Sequence, residues 1–268
     1  MGANLRSRAI TALVAIPPLV LLIVWGNPWI FAGLFFLATV AALREYFAMV
    51  FPHRRGEQLC GIVLGSIVSL MLVLPQWVEG ELWFGLLVAV CLAIYIFVKA
   101  GSKDALKRLA WLLLGCVYLG YLLPYWVLLF RLPHGRAWVL FVLWVIMAGD
   151  TMAYFVGGRF GTRKLAPRIS PGKTVEGAWG YIAGSVIAGF LGTMFLVQEL
   201  HWLEAIGVAV WLSILGQVGD LFESWLKRIF VVKDSGNLLP GHGGLLDRLD
   251  SLIFPAVFTT AYIRVFHS

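Results

Sequence analysis

Five carboxylates, four cationic side chains and one histidine fall within the thirty-two residues from Asp220 to Ser251, in a chain otherwise dominated by apolar residues. Asp220, Glu223, Ser224, Lys227 and Arg228 recur at i, i+3, i+4, i+7 and i+8, which is one face of a helix. Leu221, Phe222, Trp225, Leu226 and Ile229 fill the remainder. A glycine-rich turn follows, Pro240-Gly241-His242-Gly243-Gly244, and Asp247, Asp250 and Ser251 then repeat the i, i+3, i+4 spacing. Two polar helix faces joined by a flexible loop can bring carboxylates from both around one cation. Mg²⁺ is held in this way, by one or two carboxylates, with water and substrate phosphates completing its shell. The lysines and arginines of the same stretch suit an anion. The opposing reading is a network of pairs that only neutralises charge, and Asp247 beside Arg248 and Asp234 beside Lys233 fit it in part. His242 has no orienting partner visible in the sequence. It stands open between a general acid, a phosphate donor and a loop hydrogen-bond donor.

A second polar group precedes this one. Asp150 ends an apolar run, with Thr151 and Tyr154 on the same helical face. An acid at membrane depth costs about 2.5–3.5 kcal/mol on insertion scales, so it has a partner or a task unless it is solvated at the interface. The following segment, 157–177, combines glycines with Arg159, Arg163, Lys164, Arg168 and Lys173. Exposed glycine amides next to cations suit phosphate groups. Gly172-Lys173-Thr174 looks like the end of a Walker A loop, but that pattern needs glycine at position 167, which is proline. Arg163, Lys164 and Arg168 divide evenly between fixing topology and binding. Lys173, within Ser170-Pro171-Gly172-Lys173-Thr174, reads as functional.

The elements that must position these groups are membrane helices. Of 268 residues, 60% are hydrophobic and 13% charged, against about 45–50% and 25% in soluble domains. A span needs roughly 20 apolar residues. The pattern predicts an all-α polytopic membrane protein with about nine spans. The first two form a hairpin in 9–43, broken at Gly26-Asn27-Pro28. The others are 58–78, 82–98, 109–130 with a kink at Pro124, 137–157 carrying Asp150, 177–197, 205–229 and 245–266. Polar connections are expected at 44–57, 99–108 and 158–176. Residues 1–136 form an N-terminal membrane part and 137–268 a catalytic part with two cytoplasmic loops. With the N-terminus in the cytoplasm and the C-terminus outside, 18 of the 21 lysines and arginines lie inside, leaving Arg131, Arg136 and Arg264. The net charge of +7 then belongs to loops near anionic lipid, and scattered bases argue against nucleic acid. Cys60, Cys91 and Cys116 sit singly in apolar runs, without metal or disulfide spacing.

The stretch from Ser224 to Asp250 resembles the signature of the phosphatidate cytidylyltransferases (CDP-diacylglycerol synthases). It carries Ser224, Lys227, Arg228, Lys233, Asp234, Gly236, Pro240, His242, Gly243, Gly244, Asp247, Arg248 and Asp250 at the family's spacing without a gap. Asp150, Tyr154, Gly158-Arg159 and the Ser170–Thr174 run are similar to the family's earlier loop. The resemblance implies transfer of the cytidylyl group of CTP to phosphatidic acid in a bacterial inner membrane, at a site facing the cytoplasm. It implies Mg²⁺, with a second metal or a monovalent cation beside it, held by Asp220, Asp247 and Asp250. It makes Lys227, Arg228, Lys233, Asp234, His242 and Arg248 catalytic candidates. Asp150, Arg159, Ser170, Lys173, Thr174, Ser224, Gly243 and Gly244 become candidates for the substrate phosphates, and a homodimer is compatible with it. An ion-coupled transporter is the alternative from another class, and a CTP-dependent lipid kinase the nearer one. Either part of the site stands only if the Asp150–Gly177 segment and the Asp220–Ser251 segment meet.

Overall fold

A computed structural model describes residues 17–74, 104–236, 238 and 243–267. Among them seven helical segments are long and apolar enough to cross a membrane: Pro28–Val50, Arg55–Val73, Ala105–Arg131, Gly135–Phe160, Val175–Phe195, Trp202–Ile229 and Leu246–Phe266. They match seven of the nine expected spans. The expected span at 82–98 lies outside the described residues, as does most of the first, of which a helical run at 17–25 is described.

The described residues fall into two compact units, one of 32–128 and one of 17–31 with 129–267. The first holds most of α1 (Pro28–Val50), α2 (Arg55–Val73) and α3 (Ala105–Gly115). A π-helical stretch, Cys116–Tyr121, continues α3, and turns at 122–124 lead into α4 (Tyr125–Arg131). The break falls at Pro124, as expected of a residue that lacks an N–H. The Tyr46 hydroxyl donates to the Trp111 carbonyl at 2.9 Å, and the Phe47 ring covers Gly61. The expected polar connection at 44–57 is shorter than the sequence suggests, because α1 continues to Val50 and α2 starts at Arg55. Arg44 lies on the exposed side of α1, where a long charged side chain does not interrupt the helix.

The second unit contains α5 (Gly135–Phe160), a hairpin of β1 (Lys164–Ala166) and β2 (Ser170–Thr174), α6 (Val175–Phe195), α7 (Trp202–Ile229) and α8 (Leu246–Phe266). Helix α5 packs most extensively on α6, α6 on α7 and α7 on α8. Small residues set the spacing, as in membrane helix pairs where close backbone approach replaces the hydrophobic drive. Gly219 of α7 is the extreme case. A Cβ there would stand 2.2 Å from the Asp250 carbonyl oxygen of α8. The contact brings Asp220 and Asp250, one residue from it, to the same place.

Asp150 is not at the end of its helix: α5 runs ten residues further, to Phe160. The basic segment after it is ordered as an antiparallel hairpin, with Lys164 opposite Thr174 and Ala166 opposite Ser170. The reason lies in its ends. Thr174 caps α6, its Oγ1 accepting from Gly177 N at 3.1 Å. Glu176 in the first turn of α6 accepts from Thr162 N at 3.1 Å and Thr162 Oγ1 at 2.8 Å, and from Arg163 N. At the tip, Arg228 Nε of α7 donates to the Ile169 carbonyl at 3.0 Å.

Replacing Gly219 with alanine forces α7 and α8 apart. The expected result is a loss of about 1–3 kcal/mol, read as a lowered thermal midpoint of the purified protein in detergent. An unchanged midpoint would show that the helices do not depend on this approach.

Candidate active site

The α7 face expected from spacing is realised, and its groups are paired. Lys227 lies between two carboxylates. It contacts Glu223 one turn earlier on α7, and Asp247 Oδ1 on α8 at 2.6 Å. The Glu223 side chain is 1% exposed and the Asp247 side chain 10%. Charges this far from water persist only when paired and hydrogen-bonded. Asp247 meets that condition through its second oxygen: Oδ2 accepts from Gly244 N at 2.9 Å, Ser235 N at 3.1 Å and Ser235 Oγ at 3.0 Å. The loop between α7 and α8 is therefore gathered onto one carboxylate. Gly243 adopts φ +81, and its Cβ position lies 2.9 Å from Asp247 Oδ2, so both conformation and space call for glycine.

Lys173 of β2 reaches across to α7, its Nζ 2.6 Å from Asp220 Oδ2. The two polar segments therefore meet. Ser224 Oγ donates to the other oxygen of Asp220 at 3.4 Å, and Asp250 Oδ1 accepts from Ser251 N at 2.6 Å. Asp150, Asp220, Lys227, Asp234, Asp247, Arg248 and Asp250 together line one polar cavity of 390 Å³. A second cavity, of 470 Å³, shares Asp150 and Asp220 with it and extends between α5, α6 and the hairpin, where Lys173 and Thr174 line it.

Other expected residues have different places. Arg228 spends its Nε on the hairpin tip, so it positions β2. Thr174 commits its hydroxyl to the α6 cap. Lys233, Arg159 and Ser170 line neither cavity; Arg159 lies over the Phe160 ring at 5.8 Å. His242 lies outside the described residues. Three contributors carried no assignment from sequence. Glu223 stood on the polar face by its spacing, and that was its signal. Ser235, inside Lys233-Asp234-Ser235-Gly236, had only its neighbours. Tyr181, buried on α6 with its hydroxyl beside Asp150, had none.

Carboxylate oxygens are hard donors of the kind Mg²⁺ takes, and helix-borne aspartates face one cavity. Among the described residues no three acidic, histidine or cysteine side chains converge closely enough to hold a cation by themselves. An ion that takes one or two protein carboxylates and completes its shell with water and phosphate does not need three. The donor set fits such an ion.

A helical, membrane-type unit that gathers aspartates, a lysine and an arginine around one polar cavity defines a class, a membrane protein with a site suited to phosphate-bearing ligands. Over residues 6–266 the chain matches the cytidylyltransferase family, and it belongs to that family. It is 40% identical to the phosphatidate cytidylyltransferase of Bacillus subtilis over 184 residues, 67% of each chain. It is 34% identical to that of Brucella abortus over 266 residues, covering 98% of this chain and 95% of the relative. Against that of Staphylococcus epidermidis the identity is 33% over 255 residues, 93% of this chain and 95% of the relative.

Removing the shared cation tests the triad. Lys227→Met leaves Glu223 and Asp247 adjacent and uncompensated, with an expected loss of about 3–5 kcal/mol of stability. Adding Glu223→Gln should restore part of the thermal midpoint. If the single variant is as stable as the parent, or the second change restores nothing, the triad does not hold α7 to α8.

Proposed function

We propose that the chain transfers the cytidylyl group of CTP to phosphatidic acid, giving CDP-diacylglycerol and pyrophosphate for phospholipid synthesis. The observation that carries this reading is Lys173 meeting Asp220 at 2.6 Å, beside a cavity that also holds Lys227, Arg248 and four further aspartates.

The chemistry asks little of a base. The second pKa of a phosphate monoester is near 6, so the lipid phosphate is largely dianionic at neutral pH and is itself the nucleophile. One of its oxygens bonds to the α-phosphorus of CTP as the bond from that phosphorus to the bridging oxygen of pyrophosphate breaks. No covalent enzyme intermediate is required. The obstacle is to bring two polyanions together in line, which positioned cations overcome. Lys173 serves the side of the hairpin; Lys227 and Arg248 serve the side of α7 and α8. Asp220 and Asp250, with water and phosphate completing the shell, would hold Mg²⁺, which when bound supplies neutralisation of the transferring group and the leaving pyrophosphate, while Asp247 keeps its oxygens on Lys227, Gly244 and Ser235. Ser224, hydrogen-bonded to Asp220, keeps that carboxylate oriented.

In the nine-span arrangement read from the sequence, 18 of the 21 lysines and arginines fall on one side, which supports an inner-membrane protein whose site faces the cytoplasm. CTP then arrives from the cytosol and the lipid from the inner leaflet.

The test is incubation of the purified protein with CTP, phosphatidic acid and Mg²⁺, following CDP-diacylglycerol and pyrophosphate together. Absence of both products across detergents and metals would sink the reading. Asp220→Asn, at a partly exposed site with one ion pair, should keep the thermal midpoint and lower kcat on the order of 10²-fold or more. Turnover close to that of the parent would remove Asp220 from the reacting centre.

A further inference from the structure

The two cavities that join at Asp150 and Asp220 are unlike in chemistry. One is walled by carboxylates, Lys227 and Arg248. The other is walled by small and aromatic residues of α5 and α6, among them Ala153, Gly157, Ala178 and Tyr181, with Gln217 of α7 at its edge. A nucleoside triphosphate has the same division. Its phosphate end needs cations, and its base is a flat ring with a few polar edge atoms. A pocket with largely apolar walls and few polar groups is what such a ring requires.

We propose that the cavity between α5, α6 and the hairpin is the nucleobase subsite, and that Gln217 reads the base. This rests on the reading that CTP is the nucleotide. The triphosphate then passes Lys173 and Asp220 into the polar cavity. The amide of Gln217 has a fixed orientation. Its Nε2 donates to the Ser213 carbonyl at 3.2 Å, and a carbonyl accepts only from the nitrogen side. Oε1 therefore remains as an acceptor, and it takes no hydrogen bond among the described residues. Cytosine carries an amine donor at C4, where uracil carries a carbonyl acceptor. Against Oε1 the amine makes a hydrogen bond and the carbonyl meets a second acceptor. Tyr154, exposed at the same cavity, offers an aromatic ring against which a base can stack.

The experiment compares the parent, Gln217→Met and Ala178→Leu, using CTP and UTP as alternative nucleotides. Gln217→Met keeps length and loses the acceptor, and Ala178→Leu fills the cavity. In Gln217→Met, kcat/KM for CTP should fall by about tenfold or more. The preference for CTP over UTP should shrink by a similar factor. In Ala178→Leu the KM for CTP should rise while the KM for phosphatidic acid stays. An unchanged CTP-to-UTP ratio in Gln217→Met would overturn the proposal. So would a raised KM for phosphatidic acid alone in Ala178→Leu. If either variant does not fold, alkylation of an Ala153→Cys variant replaces it. CTP should slow that alkylation and phosphatidic acid should not; the reverse overturns the assignment. A parent protein that forms no CDP-diacylglycerol defeats the proposed function instead, so the two failures are distinct.

Discussion

A charge placed inside a bundle of apolar helices must be met by another, and the position of Lys227 between Glu223 and Asp247 is how this protein meets that demand. The pair on α7 is local, one turn apart. The bond to Asp247 is not local, and it is what fixes α8 and the connecting loop against α7. Ser235 and Gly244 both donate to the same carboxylate. The loop that follows α7 therefore returns to the point where α8 begins, and the acids of both helices face one cavity. Gly219 makes the arrangement possible by letting the Asp250 backbone approach where any side chain would stand in the way.

The hairpin is a second consequence of the same rule. Its base is tied by Glu176 and Thr174, and its tip by Arg228. With both ends fixed, Lys173 lies against Asp220. Arginine suits the tip because its long stem crosses to the hairpin while its planar head keeps several donors. Groups that a motif would assign to substrate thus serve partly to hold one another. A strong local pattern of charges in a membrane protein contains both kinds of residue, and spacing does not separate them.

The outcome is a junction rather than a single pocket. Asp150 and Asp220 belong to both cavities, so the carboxylate-walled space and the largely apolar one are joined at them. The layout suits a reaction whose difficulty lies in gathering negative charge, more than in activating a nucleophile.

Much of this was legible in the residues alone. The excess of apolar residues, the positions of seven spans, the polar face of α7 and the run from Ser224 to Asp250 are local patterns. Helix period and hydropathy record them because each residue's direction from the axis is set by its place in the chain. Other features depended on partners remote in sequence. Glu176 ordering the hairpin, Arg228 reaching Ile169, Tyr181 beside Asp150, and α1 continuing past Arg44 leave no period to read. Asp150 looked like the end of a span because charge and glycine follow it, yet α5 carries on to Phe160, with Gly157 lying close against Gly177 of α6. The sequence determined which helix faces must avoid lipid. The tertiary structure decided which charge each one meets there, because pairing is chosen by distance across helices, and spacing along the chain does not contain it.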